Sequence, residues 1–388
     1  MKRLAMQSRH IAFVSTMGGY AWGGSEELWS RSALELSARG FRISASVVEW
    51  LPLHGRVQDL RNAGVDVQLR PQYYALRERA WHRLTFWGKT KAVLEVGRLL
   101  RRSAPALVVF SDGGARPPIE LLELSVTKNL PFVTIAQANS DNYWLDDVNA
   151  ERYRNALECA RRCYFVSEAN LQLAERQLGC KLANAEVVWN PFNVDFYASP
   201  SWPKLSETDE LRLACVARLH PPSKGQDVLL EALARPPWAS RNWRLTLYGE
   251  GPMRNMLERL AERLGVSSRV VFGGHIAVED IWAANHVLVM PSRFEGLPLA
   301  MVEAMLCARP VLGTDVGGNS EIIEDGVTGF LAEAPTVPIV ARSLERLWEQ
   351  RANLEQMGKA GAKRIRELVP SDPVRVFSEK LMHLIGMP

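Results

Sequence analysis

Two glutamates stand eight residues apart in the stretch FEGLPLAMVEAM, which runs from Phe294 to Met305. The rest of that stretch is apolar and contains a Gly-Leu-Pro turn. If all of it were helical, eight residues would span about 12 Å at 1.5 Å per residue. The two carboxylates of a glycosidase need a separation of about 5–9.5 Å. We therefore expect Glu295 and Glu303 to hold two parts of one long ligand, not to act as an acid–base pair.

The residues around these glutamates predict how they are placed. HVLVMPS indicates a buried strand, and Pro298 suits the first turn of a helix through LAMVEAMLCA. Glu295 then lies in a loop and Glu303 on the second helical turn. The N–H groups of Gly296 and Leu297 and the helix N-terminus suit a phosphate. Glu303 suits ribose hydroxyls and Glu295 suits sugar hydroxyls, although Glu303 could equally be an ordinary residue of an amphipathic helix.

Further candidates occupy the loops that follow predicted strands. Arg218 and Lys224 lie in CVARLHPPSKGQDVLLEAL, between a strand and an apolar helix. Two cations there can neutralise a diphosphate without a metal ion, but solvated loop charges would look the same. Gly249 in YGEGP permits close approach of a ligand to the backbone. His275 and Ile276 follow RVVFGG and are placed to meet a flat base edge, unless His275 is simply a loop histidine.

A glycine-rich segment follows the first predicted strand, in TMGGYAWGGSEELWSRSALELSARG. Gly24 and its neighbours let backbone N–H groups and the positive end of a helix approach an anion or a sugar. Ser25 or a neighbour is expected to cap this helix, and Gly40 to end it. The segment lacks the G-x-G-x-x-G pattern of dinucleotide sites. Nicotinamide binding is therefore not favoured, and a plain flexible turn remains the alternative.

The elements that must position these residues alternate between strands and helices. Eleven runs read as strands: HIAFVST, ISASVVEW, VDVQLR, ALVVFSD, PFVTIA, CYFVS, LRLACVAR, RLTLYG, RVVFGG, HVLVMPS and PVLGTD. Most are apolar on both faces, as in strands that helices cover on each side. The pattern predicts an α/β fold with doubly wound parallel sheets. Ligands then bind beyond the carboxyl ends of the strands.

The length of the chain predicts two domains, because 388 residues exceed one ordinary core. The stretch Asn190–Glu210 is rich in Pro, Ser and acidic residues and has no apolar period, which is typical of a linker. We expect two Rossmann-like domains, residues 1–195 and 196–370, which face a central cleft.

Composition excludes several other classes of protein. Hydrophobic content of 47% and charged content of 23% are those of a soluble globular protein. The N-terminus lacks the apolar core of a signal peptide, and no apolar run is long enough to span a membrane. The cysteines are odd in number and have no zinc-site spacing, so reduced thiols in the cytoplasm are expected and metal binding is not. They are Cys159, Cys163, Cys180, Cys215 and Cys307.

One stretch, residues 71–102, is strongly basic. It holds eight Lys or Arg residues and two Glu, interleaved with Tyr73, Trp81, Trp87 and other aromatic residues. Basic residues among Trp and Leu suit a helix on an anionic membrane surface. A solvated basic helix flank is the alternative, and nucleic acid is not expected as a partner.

Together these motifs resemble glycosyltransferase family 4, whose members are retaining nucleotide-sugar glycosyltransferases with the GT-B fold. PSRFEGLPLAMVEAM is similar to the E-x7-E signature of that family. PVLGTDVGGNSEIIEDGVTGFLAE, with Gly317, Gly318 and Glu321, resembles the segment that follows the signature. VARLHPPSKG resembles the phosphate-binding loop, and GGSEELWSRSALELSARG resembles the first glycine-rich loop and helix. The resemblance covers most of the chain and is densest between Leu211 and Glu333.

The resemblance implies roles for the candidates. Arg218 and Lys224 would clamp the diphosphate, Glu303 would hold the ribose and Glu295 would meet the donor sugar. Gly24 would lie near the diphosphate or the acceptor. The reaction would transfer a sugar to an acceptor hydroxyl with retention, without a cofactor or an obligatory metal, in bacterial-type polysaccharide or glycoconjugate synthesis. The first domain would bind the acceptor (a glycan, a lipid-linked glycan or a small molecule) and the second the nucleotide sugar. Residues 371–388 resemble a terminal helix that crosses back to the first domain.

One departure from the family concerns a histidine that many members carry near the donor sugar. The matching stretch here is QANSDNYW, in which Gln137, Asn139 or Asp141 is the candidate replacement for contact with the donor sugar or the acceptor. A catalytically silent nucleotide-sugar-binding or scaffold protein is therefore one alternative. A nucleotide-sugar epimerase on the same fold is the other.

Overall fold

The computed structural model describes residues 9–71, 90–206 and 209–387. The chain divides into two compact units. The first comprises Met1–Pro191 and Asp372–Pro388, and the second comprises Phe192–Ser371. Each unit is built on one parallel sheet, so the chain has the two-sheet α/β architecture that the apolar runs predict.

The sheet of the first unit has seven parallel strands among the described residues. They are β1 (His10–Ser15), β2 (Arg42–Val48), β3 (Asp66–Arg70), β4 (Leu107–Asp112), β5 (Phe132–Ala136), β6 (Arg162–Phe165) and β7 (Ala185–Val187). Their spatial order is β3-β2-β1-β4-β5-β6-β7. The order reverses direction between β1 and β4, which makes the carboxyl ends of these two strands the topological switch point of this unit.

The second unit repeats this arrangement with six parallel strands in its described part. They are β8 (Leu211–Val216), β9 (Trp243–Tyr248), β10 (Val270–Gly274), β11 (Val287–Met290), β12 (Val311–Thr314) and β13 (Gly329–Ala332). The order β10-β9-β8-β11-β12-β13 places its switch point between β8 and β11, which pair at Leu213 and Val287. All eleven predicted strands are confirmed, whereas β7 and β13 were not predicted.

Helices connect the strands throughout both units. Those of the first unit are α1 (Glu27–Ala38), α2 (Gly55–Asn62), α3 (Thr90–Ser103), α4 (Ile119–Thr127), α5 (Asp147–Glu158), α6 (Glu168–Leu178) and, at the end of the chain, α15 (Pro373–Leu384). Those of the second unit are α7 (Pro221–Lys224), α8 (Gln226–Leu233), α9 (Arg254–Arg263), α10 (Val278–Ala284), α11 (Leu299–Leu306), α12 (Asn319–Ile322), α13 (Val337–Glu349) and α14 (Leu354–Leu368). None of the described helices is long and apolar enough to cross a bilayer.

Alternate residues of the central strands enter two separate cores in the first unit. Phe13 and Val109 belong to one apolar cluster, and Val14 and Phe110 belong to another. Since successive side chains of a strand point to opposite faces, this sheet is buried on both faces. That burial explains why its strands read as continuous apolar runs and not as alternating ones.

Helix α15 packs on the first unit. Asp372 caps it by accepting a hydrogen bond from the backbone N–H of Arg375, at 2.9 Å. Phe377 is buried, and its ring meets that of Tyr164 edge-on with 5.2 Å between the ring centroids. Lys380 donates to the carboxylate of Glu186. The end of the chain therefore supplies part of one of the two cores of the first unit.

The stretch Asn190–Glu210 contains no helix or strand among its described residues, but much of it packs closely on the second unit. Arg366 donates to the carbonyl oxygen of Phe196 at 2.8 Å. Arg309 is almost fully buried, donates to the carbonyl oxygen of Ser201 at 2.7 Å and lies over the ring of Trp202. Two arginines thus hold the backbone of this segment in place.

Substitution of Phe377 by alanine tests the contribution of α15. Loss of a buried phenylalanine costs about 3–5 kcal/mol of stability, and we expect the melting temperature to fall by about 10 °C. His383→Ala, an exposed change on the same helix, should lower it by no more than about 2 °C, since surface substitutions stay within ±0.5 kcal/mol. Equal melting temperatures for Phe377→Ala and the unchanged protein would show that the helix adds no stability.

Candidate functional site

The switch point of the second unit is occupied by an ion pair. Lys224 ends α7, which follows β8, and Glu295 lies in the loop after β11. Because β8 and β11 are neighbours in the sheet, these two loops meet. The Lys224 Nζ lies 2.6 Å from Glu295 Oε1, and the two side chains are only 20% and 8% exposed. Such a pair, largely removed from water, is strongly destabilised if either partner is lost.

The loops that carry the pair are joined at several points. Gly225 has φ +67°, and a Cβ there would stand 1.9 Å from the carbonyl oxygen of Pro291. Only glycine allows the chain after Lys224 to come so close to the loop after β11. From that loop, Arg293 donates through both terminal nitrogens to the carboxylate of Asp227, at 2.8 Å each. The position of the ion pair is therefore set by both loops.

Arg218 lies in the loop after β8, where its carbonyl oxygen accepts a hydrogen bond from Gln226 at 2.8 Å. The pKa of His220 is lowered, first by burial and then by the charges of Arg218 and Lys224. That shared influence shows that both cations act on one small region. Behind it, burial raises the pKa of the Cys215 thiol to about 12, so this residue stays a neutral thiol. The loop presents two positive charges above an apolar strand end.

Glu303 lies on α11 and is only 5% exposed. Its Oε1 accepts two hydrogen bonds from Asn193, one from the backbone N–H at 2.8 Å and one from the side-chain Nδ2 at 3.0 Å. The helix begins after Pro298, which provides no side-chain cap. The two glutamates of the signature are thus held by different groups, Glu295 by Lys224 and Glu303 by Asn193.

The glycine pair after β12 supports the backbone at Glu295. Gly318 donates its N–H to the carbonyl oxygen of Gly296 at 2.7 Å. Gly317 has φ +54°, and a Cβ on it would stand 2.4 Å from the carbonyl oxygen of Glu295. Gly296 and Leu297 are both buried. The loop after β12 therefore fixes the backbone that precedes α11.

The remaining candidates of this unit follow β9 and β10, at the same edge of the sheet. Gly249 donates its N–H to the carbonyl oxygen of Gly274 at 2.8 Å, which joins the ends of the two strands. His275 and Ile276 come next and are exposed, Ile276 to 46%. The exposed side chain of Ile276 could pack against a flat ring, such as a nucleotide base.

In the first unit, Gly24 begins a 3-10 turn, Gly24–Glu26, that leads into α1. The prediction that Ser25 caps the helix is wrong. Its hydroxyl donates to Met17 Sδ at 3.0 Å, and the cap position is Glu26, without a side-chain cap. The 3-10 turn, closed by the N–H of Glu26 on the carbonyl of Gly23, takes the place of a capped start. The predicted end is confirmed, because Gly40 follows the helix with φ +83°.

Sequence reasoning missed a buried carboxylate at this switch point. Glu26 is 3% exposed, and its Oε1 has no hydrogen-bond partner among the described residues. Burial raises its pKa to about 7, against opposing effects of Ser15, Trp29 and Arg70. Arg70, at the end of β3, is also buried and donates to the carbonyl oxygen of Ser15. The position of this glutamate directly after the glycine-rich loop is the sequence feature that could have identified it as a candidate.

A second carboxylate, Asp112, ends β4 beside it. Its Oδ2 accepts from the Thr16 hydroxyl at 2.6 Å and its Oδ1 from the N–H of Gly114 at 2.8 Å. Burial nevertheless raises the pKa of Asp112 to about 6. The charge of Asp112 also raises the pKa of Glu26. This edge of the first sheet thus holds two carboxyl groups that gain protons readily.

Two of the candidates that follow β5 are already engaged with other side chains. Asp141 is exposed and forms an ion pair with Arg176 at 2.7 Å. Asn139 is buried, donates to Gln177 Oε1 at 3.1 Å and accepts from the N–H of Ser140 at 2.8 Å. These contacts tie both side chains to helix α6.

Gln137 differs from these two. It is 6% exposed, and its Oε1 accepts a hydrogen bond from Asn190 Nδ2 at 2.6 Å. Its own Nε2 and the Oδ1 of Asn190 have no hydrogen-bond partner within the described structure. A donor and an acceptor thus stand on adjacent amides, the combination that one hydroxyl group would satisfy.

Only part of the basic stretch 71–102 is described, since residues 72–89 lie outside the described ranges. In α3, Val96 and Leu100 enter the core of the first unit, while Lys91, Arg98, Arg101 and Arg102 are exposed. The apolar face of this helix is therefore used in folding, and its cations face water. Among the described residues, no group of three His, Cys, Asp or Glu side chains could hold a metal ion.

Comparison with known proteins identifies what the chain is similar to. Residues 210–350 match the family model of the glycosyl transferases group 1. The matched range contains Arg218, Lys224, Glu295 and Glu303. Two curated relatives each align with a little over a third of the chain. One is the alpha-D-kanosaminyltransferase of Streptomyces kanamyceticus, 32% identical over 36% of this chain and 37% of its own length.

The other is a GDP-mannose-dependent mannosyltransferase of Mycolicibacterium smegmatis that acts on phosphatidylinositol monomannoside, 33% identical over 38% of this chain and 41% of its own length. Similarity in sequence therefore spans about two fifths of these relatives. Similarity in fold spans the whole chain. HepE of Anabaena, solved with UDP-glucose, superimposes with a TM-score of 0.71 at 19% identity, covering 96% of this chain and 99% of its own. The fold is GT-B.

The raised pKa of Glu26 predicts an effect of pH on stability. The unfolded chain loses this proton near the ordinary value of 4.5 and the folded chain near 7, so wild-type stability falls as the pH rises between the two. Glu26→Gln cannot ionise. Relative to wild type it should gain stability from pH 5 to pH 8, by at most about 3 kcal/mol in urea unfolding. Glu35→Gln, on the solvent side of α1, controls for loss of a surface carboxylate, and a pH-independent difference for Glu26→Gln would contradict the prediction.

Proposed function

We propose that this protein is a retaining glycosyltransferase of family 4, in the EC 2.4 class, which moves a sugar from a nucleoside diphosphate to an acceptor hydroxyl. The observation that carries the proposal is the Lys224–Glu295 pair at the switch point of the second sheet, with Arg218 in the same loop. Ligands of open parallel sheets bind at such points. The match of residues 210–350 to the glycosyl transferases group 1 supports the same reading.

The chemistry follows from the charges. When the bond between sugar and diphosphate breaks, negative charge grows on the leaving phosphate, and cations fixed in place beforehand stabilise it. Arg218 and Lys224 take this role, so no metal and no cofactor is required in the proposal. Glu295 orients Lys224 and meets a hydroxyl of the donor sugar. The N–H groups of Gly296 and Leu297 contact phosphate at the start of α11.

The rest of the nucleotide sugar is assigned to the same unit. Glu303 accepts hydrogen bonds from the ribose hydroxyls. Gly249, His275 and Ile276 contact the base. The second domain in this proposal is thus the nucleotide-sugar domain, and the first is the acceptor domain.

In the first domain, Gly24 lies near the acceptor or the diphosphate. Of Gln137, Asn139 and Asp141, we assign contact with the donor sugar or the acceptor to Gln137. This choice is supported by its unpartnered Nε2 beside the unpartnered Oδ1 of Asn190. The other two candidates are held by neighbouring side chains.

Relatives guide the choice of donor and pathway. One is named for a GDP-mannose donor, and HepE was solved with UDP-glucose. We propose a sugar linked to UDP or GDP as donor, and a glycan, a lipid-linked glycan or a small molecule as acceptor. The process would be synthesis of a bacterial-type polysaccharide or glycoconjugate in the cytoplasm.

A test begins with a thermal-shift screen of UDP, GDP, ADP and dTDP sugars without added metal. A ligand at 100 times its Kd stabilises by about 2.7 kcal/mol, so one nucleotide should raise the melting temperature by several degrees. The selected donor is then used to measure sugar transfer or slow donor hydrolysis. Lys224→Met should reduce turnover at least about a hundredfold, the usual effect of removing one fixed group that stabilises transition-state charge.

Lys359→Met is the matched control, because Lys359 is an exposed lysine of α14 paired only across one helical turn with Glu355. It should leave turnover unchanged. A nucleotide-dependent shift with neither transfer nor hydrolysis would instead favour a silent binding or scaffold protein. Release of free nucleotide diphosphate without an acceptor, together with an epimerised sugar, would favour the epimerase. No shift with any nucleotide in a well-folded sample would contradict the proposal.

We further propose that the first domain rests on an anionic membrane surface as a peripheral protein. The exposed cations Lys91, Arg98, Arg101 and Arg102 of α3 support this reading. Juxtamembrane cations gain about 1 kcal/mol each at such a surface. The apolar side of α3 lies in the core, so the contact proposed for the described part of this stretch is electrostatic.

Replacing those four residues by glutamine should therefore weaken binding to vesicles containing phosphatidylserine by at least about tenfold in co-sedimentation. Transfer to a soluble acceptor should remain. A matched variant neutralises four exposed cations of the second unit, namely Arg254, Arg263, Arg342 and Lys359. Equal loss of vesicle binding in both variants would show that overall charge, not α3, attracts the protein to the membrane.

A further inference from the structure

The two hydrogen bonds of Asn193 to Glu303 have no role in the function proposed above. Asn193 is itself exposed, yet it directs both its backbone N–H and its side-chain Nδ2 at a single oxygen of a carboxylate that is 5% exposed. A carboxylate oxygen offers two acceptor directions, and Asn193 uses two donors on this one. The contact therefore fixes the rotation of the carboxylate about its last bond as well as its position.

Such a fixed carboxylate matters for a ligand that donates from two adjacent hydroxyls. A glutamate has three side-chain torsions, and fixing them upon binding would cost conformational entropy and lower the affinity for the ligand. When a neighbouring residue has already oriented the carboxylate, this entropic cost no longer lowers the affinity for the ligand. The rigid backbone on the other side, where Gly318 holds Gly296, has the same effect on the start of α11.

The place of Asn193 in the chain adds a second consequence. The second unit begins at Phe192, so Asn193 lies one residue beyond the start of that unit. Further along this segment, Arg366 donates to the carbonyl oxygens of Phe196 and Ala198. Asn193 thus anchors the start of the second unit to Glu303.

We propose that Asn193 is a positioning residue for nucleotide binding: it orients Glu303 for the ribose, and a bound nucleotide in turn orders the segment at residues 192–195. This inference rests on the proposed function. Asn193 touches the carboxylate and not the reacting atoms, so its effect falls on affinity and not on the chemical step.

The test uses the full chain and free UDP or GDP, whichever stabilises the wild-type protein. Asn193→Ala removes the side-chain bond to Glu303 and keeps the backbone one. It should raise the Kd for the nucleotide by about tenfold in calorimetry, the size expected for one lost bond to a charged group. It should raise the KM for the donor similarly and leave kcat within about twofold. Asn193→Asp should weaken binding further, because it places a second negative charge against Glu303.

A matched control lies two residues along. Asp195 is exposed, and its side chain accepts from the N–H of Tyr197 at 2.7 Å, a turn contact within the same segment. Asp195→Asn should not change the nucleotide Kd. Hydrogen exchange supplies an independent measurement, since nucleotide should slow exchange of the Asn193 amide in wild type and in Asp195→Asn.

The outcomes separate the two proposals. If Glu303→Gln weakens nucleotide binding and Asn193→Ala does not, the positioning role is overturned and the proposed function stands. Tighter binding by Asn193→Ala also overturns it, because Asn193 would then compete with the ribose. If wild type binds no nucleotide, both proposals fall. Loss of affinity with unchanged kcat in Asn193→Ala, absent in Asp195→Asn, supports the inference.

Discussion

The contact between Lys224 and Glu295 is the constraint on which the second unit depends. An ion pair so far removed from water is stable only if both partners stay in place, since either charge alone would be costly to bury. The surroundings meet this requirement: Gly225 lets the two loops touch, Arg293 binds Asp227 across them, and the loop after β12 holds the backbone of Glu295. The close contacts among these loops thus serve to keep the two buried charges together.

The two units share a sheet topology, but the charged residues at their switch points differ. At the switch point of the second unit, burial lowers the pKa of His220, and the positive charges of Arg218 and Lys224 lower it further. At that of the first, Glu26 and Asp112 are buried carboxyl groups whose pKa values are raised to about 7 and about 6. A positive site attracts phosphate, whereas a site of protonatable carboxyl groups disfavours further negative charge. The division of labour that we propose, nucleotide sugar on the second unit and acceptor on the first, agrees with this contrast.

Features set by neighbouring residues could be predicted from the sequence, whereas contacts between residues distant in sequence could not. Strands buried on both faces are apolar runs, and all eleven predicted ones are present. The missed β7 has only three residues, all half-buried, and the missed β13 begins with a glycine. The prediction of a Ser25 cap was wrong because a 3-10 turn, Gly24–Glu26, precedes α1 and moves the cap position to Glu26. The pairing of Lys224 with Glu295 joins residues 71 apart and follows from strand order, which no local pattern contains. The pKa of Glu26 likewise depends on burial and on the charges of Arg70 and Asp112, which end two strands distant in sequence.

The junction of the two units shows how such non-local contacts bear on function. Asn190 donates to Gln137 in the first unit, and Asn193 donates to Glu303 in the second. Three residues apart, two asparagines of one segment thus each hold a side chain that we assign to substrate. In the function we propose, a ligand that takes over the acceptor oxygen of Gln137 or Glu303 displaces a hydrogen bond of this segment. Binding of such a ligand would then be linked to the hydrogen bonds of residues 190–193, and thermodynamic linkage would make that effect reciprocal.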